Sequence, residues 1–261
     1  MTQRLCLKGL SILTLAGMLG LSQPLAWGWP LATPAIAAET PKSNDELRQG
    51  LPGRRLGGGT RTPSMAAYND QLPLTALIPE NVLSITTAAY PRLLFHLPVI
   101  ETSQTVELVL YNSAEALVYQ QQFDVVGNSG IVSVDLSNAD GLAPLTIDET
   151  YQWYFTIVAD DRAQDISVDG WVKRVDIETW SQQHNAPHLS AQLTTTPPLE
   201  QARLLHEEAD LWSEAAQVVH SLRQQNPQSK EVTAVWEQLL EEVGLSELQS
   251  APLAELVVKP I

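Results

Sequence analysis

Cysteine is almost missing from this chain: Cys6 is the only one in 261 residues. That excludes a disulfide scaffold and any cysteine-based zinc cage. Positive charge is also scarce. Fifteen Lys and Arg stand against thirty Asp and Glu, for a net charge of −15 and a pI near 4.6. A phosphate backbone needs clustered cations, so nucleic acid is excluded as a partner. Charged residues make up only 17%, while apolar residues reach 44%, enough to build a core rather than a disordered chain. Catalytic signatures are lacking too. There is no Gly-x-Ser-x-Gly elbow, no Walker A loop and no dinucleotide fingerprint.

What is present begins with an address. Arg4 and Lys8 precede an apolar run from Leu10 to Leu21, and Ala35-Ile36-Ala37-Ala38 follows before Glu39. A positive start, a short apolar core and a small-x-small site predict a signal peptide over 1–38, cleaved after Ala37 or Ala38. Pro24, Pro30 and Pro34 interrupt the uncharged stretch, which argues against a retained membrane anchor. Cleavage would remove Cys6 and leave no transmembrane span. The expected location is the periplasm or the cell surface.

Residues 39–50 are polar and aperiodic, the pattern of a disordered leader. Next comes a local basic island: Arg54, Arg55, then Gly57, Gly58 and Gly59, then Arg61. Successive glycine N–H groups can converge on an anion, and arginines add bidentate donors. These six residues are the candidate ligand-binding segment. The alternative is a structural segment whose arginines pair with the chain's own acids.

From about 72 to 178 the pattern is strand-like. Val106, Leu108 and Leu110 alternate, Gly130 to Leu136 alternates, and Tyr151 to Val158 is the stretch richest in strand formers. Tyr151, Trp153 and Phe155 share one face by the period of two, and core packing is their expected role. Turn signals separate the runs at Asn112-Ser113, Gly127-Asn128, Asn138 to Gly141 and Asp160-Asp161. The expected fold is mainly β with an α tail. An immunoglobulin-like or fibronectin-like antiparallel sandwich occupies 51–178.

A polar linker is expected at 179–198, a helical segment at 199–245 and a tail at 246–261. Trp212, Ala215, Val219, Leu222 and Pro227 resemble the second helix of a tetratricopeptide repeat. Asp210 marks either a turn or the inside of a longer helix. Ser229 is the expected N-cap of a further helix carrying Val232, Trp236, Leu239, Leu240 and Val243, closed by Gly244. One repeat cannot bury its own face, so Trp212 and Trp236 are the candidate partner-binding residues.

Other chemistry is weaker. His184 and His188 are four apart, but Pro187 lies between them, so no metal or other cofactor is expected. Asp160, Asp161, Asp165 and Asp169 crowd one region. They would suit a solvated hairpin tip, a calcium loop or, as a last alternative, a hydrolase.

Several motifs in order carry a family resemblance. They are Pro52-Gly53-Arg54-Arg55 running into Gly57 to Arg61, Leu74 to Pro79, Thr86-Thr87 before Tyr90-Pro91, and Tyr151-x-Trp153-Tyr154-Phe155. Gly170-Trp171-Val172-x-Arg174-Val175, Trp212-x-x-Ala215 and Trp236 to Leu245 complete the set. Over about 50–245 the chain resembles the cyanobacterial domain-of-unknown-function family numbered 928. The resemblance implies a cyanobacterial exported protein and no particular reaction. It also implies a Cys soon after the glycine run in many members, where this chain has Ser64 and Met65. The function expected is therefore an exported, non-catalytic binding or scaffold protein. Its partner is an envelope or cell-surface protein or a glycan.

Overall fold

The computed structural model describes residues 52–57, 72–99, 105–126 and 129–259. The expected signal peptide and leader, and the segment holding Gly58, Gly59 and Arg61, lie outside them. Among the described residues the protein is mixed α/β, about one third helix and one third strand.

Nine strands form: β1 (Thr75–Ala76), β2 (Leu83–Thr86), β3 (Arg92–Leu97), β4 (Thr105–Tyr111), β5 (Leu117–Val126), β6 (Gly130–Asp135), β7 (Thr150–Val158), β8 (Ile166–Arg174) and β9 (Glu255–Val258). They make a three-stranded sheet in the order β1-β3-β6 and a six-stranded sheet in the order β2-β8-β7-β4-β5-β9. Alternation sets the burial. Val106, Leu108 and Leu110 of β4 are fully buried, and so are Trp153 and Phe155 of β7. These residues meet β3 of the other sheet, where Phe95 stacks on Phe155 at 3.9 Å and meets Trp153 edge-on at 5.4 Å. One apolar core thus fills the space between the sheets.

The sheets are also joined along both edges. On one side the arginine–glycine segment bridges them, because Arg54 pairs with Asp169 of β8 and Leu56 pairs with Thr75 of β1. On the other, Leu253 bridges Ile131 of β6 just before the chain enters β9 against β5. The backbone pairing therefore runs in a complete circuit. Glycine makes each junction possible. A Cβ on Gly57 would sit 3.0 Å from Leu74 Cβ and Ile166 Cγ2, and one on Gly130 would sit 2.5 Å from the Pro252 carbonyl oxygen.

Among the described residues five helices lie between β8 and β9: α1 (Ile177–Gln183), α2 (Leu189–Thr195), α3 (Pro198–Glu207), α4 (Trp212–Gln225) and α5 (Lys230–Glu242). Pro198 opens α3, where its missing N–H costs nothing. Ser229 caps α5 and accepts from Val232 N, as its position in sequence suggests. Asp210, at φ 54°, sits in a turn that separates α3 from α4. The apolar helix faces share a second core with Leu83 and Ile85 of β2, Leu94 of β3 and Ile131 of β6. β3 is consequently buried on both faces.

This architecture corrects several expectations. The immunoglobulin-like arrangement required separate, antiparallel sheets, whereas β2 runs parallel to β8 and both edges are joined. Residues 179–198 are largely helical, anchored by buried Trp180 and Leu189. The expected tail supplies β9.

Candidate functional site

The inward residues of the six-stranded sheet are apolar, so its other face carries the chemistry. Thr105, Glu107, Val109 and Tyr111 of β4 point outward by alternation, as do Gln152, Tyr154 and Thr156 of β7 and Ser167, Asp169 and Trp171 of β8. Register assembles them into rows. Glu107 lies opposite Gln122 on one side and Thr156 on the other, while Val109 lies between Gln120 and Tyr154.

Glu107 is the centre of this face. It is only 6% exposed although its strand face is the outer one. Its Oε1 accepts from Gln120 Nε2 at 3.1 Å and Gln122 Nε2 at 2.9 Å, and Arg162 Nη2 donates to Oε2 at 3.3 Å. Burial works to raise its pKa, but the bonds from Gln122, Gln120 and Arg162 outweigh it, and the carboxyl sits below its usual range. Glu107 is therefore a fixed anion that orients two planar amides.

Further along the same face, past Val109, Tyr111 and Tyr154 meet edge to face with centroids 6.0 Å apart. Both rings are half-buried. Burial raises the Tyr154 pKa, with Asp169, Tyr111 and Glu115 adding to the shift, so the phenol stays protonated. Burial also raises the Asp169 pKa, against the pull of Arg54. The hydroxyls of Thr156 and Ser167 lie 2.8 Å apart. Two aromatic faces, two oriented amides, paired hydroxyls and two carboxyls of opposite shift thus share one surface. Such a set can stack on a ligand's C–H face and exchange hydrogen bonds with its hydroxyls.

A family model described as a domain of unknown function (DUF928) matches residues 56–253. The chain belongs to that family. No curated protein matches it. Among solved structures it is similar to a glycosyl hydrolase family 2 member from Bacteroides cellulosilyticus, at 9% identity and a TM-score of 0.24. That match covers 69% of this chain and 35% of the other, so this chain spans little more than a third of that structure. A likeness of that size says nothing about reaction.

Those of the residues singled out in this DUF928 sequence that the structure describes take other roles. Arg55 does not face an open anion site: its Nη1 donates to the Val243 carbonyl at 2.6 Å and the Ile78 carbonyl at 3.2 Å. Burial lowers its pKa, opposed by Glu80 and Glu247. Arg54 exchanges two backbone bonds of 3.0 Å with Asp169. Gly57 is buried at the sheet junction. Trp212 and Trp236 are 4% and 0% exposed, so they pack inside the chain rather than forming an outward docking face. Trp212 Nε1 donates to Leu239 O at 2.9 Å. In the acidic hairpin, Asp161 accepts from Ala163 N and Asp165 from Ala159 N, which makes both of them turn-holding groups.

Sequence reading missed two things. One is the outer face itself. The alternation of β4 and β7 implied that face, but the partnering of Glu107 with Gln120, Gln122 and Arg162 needed the register. The other is Glu214 of α4. Its carboxylate accepts from the hydroxyls of Thr86 and Thr87 and from the amides of Thr87 and Ala88, and so latches the helices onto the end of β2.

Proposed function

We propose that this protein is an exported, non-catalytic binding protein of the bacterial envelope, and that its ligand is a glycan held on the outer face of the six-stranded sheet. One observation carries the reading: the Tyr111–Tyr154 pair shares the outer face of the sheet with the Glu107 carboxylate and its oriented Gln120 and Gln122 amides. Sugar rings offer apolar C–H faces to aromatic rings and hydroxyls to amides and carboxylates. The acid excess of the chain favours a neutral saccharide over an anionic one. The export component rests on the leader-like residues 1–38. The helices brace the sheets through Glu214 and Arg55 rather than presenting the ligand face.

Affinity electrophoresis against neutral envelope polysaccharides tests the proposal. Retardation should fall about tenfold or more on Tyr154→Ala or Gln120→Ala, as for the loss of a stacking or hydrogen-bonding group. Retardation unchanged in both variants, or none with any neutral polysaccharide, removes the glycan reading.

A further inference from the structure

β9 lies at the end of the six-stranded sheet, and among the described residues its only strand partner there is β5. Its burial is unlike that of the other strands. Val257 and Val258 are 52% and 58% exposed although successive side chains point to opposite faces. Leu256 packs on the core between the sheets, and the link to β6 stops at Leu253 and Ala254, so over 255–258 the side of β9 away from β5 has no ladder partner among the described residues. Such an edge with exposed apolar side chains is a template for further pairing.

The direction of its free backbone groups can be read. Lys259 N donates to Gln122 O of β5, whereas Ala254 N donates to Ile131 O on the opposite side. Antiparallel ladders alternate, so odd-numbered residues of β9 bond toward β5 and even-numbered ones point away. The outward N–H and C=O groups of β9 are therefore those of Leu256 and Val258.

We infer that this edge is the contact surface for a second copy of the chain, paired antiparallel about a two-fold axis at Val257. This register sets Leu256 opposite Val258 of the other copy, and Val258 opposite Leu256. All four residues then use their outward groups in hydrogen-bonded pairs. It also sets Glu255 opposite Lys259 twice. The sequence Glu255-Leu256-Val257-Val258-Lys259 is thus charge-complementary to itself when reversed. A shift of one residue would bring inward groups to the contact and separate the charges. Pro260, next in sequence, has no N–H with which to extend a ladder, which limits the contact to this short register. Pairing would continue one six-stranded sheet into the other. The inference stands apart from the glycan reading, because it uses none of Glu107, Tyr111, Gln120, Gln122 or Tyr154.

A contact this short makes a weak dimer, so the measurement is sedimentation velocity of the full chain over a wide concentration range. The wild-type protein should shift from monomer to dimer with rising concentration. Glu255→Lys and Lys259→Glu should each weaken the dimer roughly tenfold or more, because each replaces two attractive pairs with two repulsive ones. The double exchange Glu255→Lys/Lys259→Glu should restore it. Lys259 also bonds Thr105 and neighbours Asp124, so Glu255→Lys is the cleaner single variant. A wild-type monomer up to about 1 mM would overturn the inference. So would a dimer that ignores the single reversals, or one that the double exchange does not rescue.

Discussion

The Arg55 guanidinium donates to the carbonyl of Val243, a bond of 2.6 Å between residues 188 apart in sequence. Val243 is the C-cap of α5, where carbonyls lack helical partners and a cation is favoured. The same nitrogen also reaches Ile78 O, so one side chain ties the helices, the sheet junction and the loop before β2. Arg55→Ala should cost about 2 kcal/mol of folding stability in urea titration, and Arg55→Lys less. An external anion site would behave in reverse, with apo stability kept and phosphate-dependent stabilisation lost.

The Glu214 latch should show an analogous dependence. Glu214→Ala leaves the amides of Thr87 and Ala88 without their acceptor and should cost about 2–3 kcal/mol. Glu214→Gln keeps one carbonyl oxygen and should cost roughly half of that. Paired urea titrations of the two variants check the order. Equal losses would mean that packing, not the carboxylate, holds the contact.

Gly130 tests the junction at β9. A methyl group there meets the Pro252 carbonyl oxygen, a backbone atom that cannot rotate away. Gly130→Ala should destabilise by about 1–3 kcal/mol. Hydrogen exchange should show the loss first at the Ile131 and Ala254 amides, which bridge the junction.

His220 predicts the acid response. It is fully buried on α4, and its pKa falls to about 4, chiefly by burial and further by the Arg92 and Arg223 charges. An unfolded histidine takes its proton near pH 6.5. Between that value and about 4 the unfolded chain binds the extra proton, so stability falls as pH falls. The loss should approach about 3 kcal/mol below pH 4 and vanish above pH 7. Urea midpoints of wild type and His220→Leu across this range should diverge in slope. Parallel curves would assign the acid loss to carboxylates alone.

How much of this was legible depended on the range of the interaction. Alternation of Val106, Leu108 and Leu110 gave β4, and the run from Tyr151 gave β7, because period two is local. Ser229 and Gly244 marked the ends of the helix carrying Trp236 for the same reason. Residues 179–198 misled because His184, Pro187 and a run of threonines are poor helix formers. Burial of Trp180 and Leu189 against the other helices overrides that propensity. Arg54, Arg55 and Gly57 looked like a ligand loop because convergent donors look alike whether the acceptor is foreign or internal. Only the pairing with Asp169, Val243 and Leu74 distinguishes the two. The sheet face stayed hidden until register placed Gln120 and Gln122 on Glu107.

The two junctions between the sheets bear on how the chain folds. One unites Arg54 with Asp169 and the other unites Ile131 with Leu253, so neither closes through local contacts. Loop closure must come first in both cases, which predicts slow folding for a domain of this size. The second junction also waits for residues 252–259 to leave the ribosome. Until then the nascent chain has an open edge on β5 and on β6, a state that is easy to keep unfolded and exposed to chaperones.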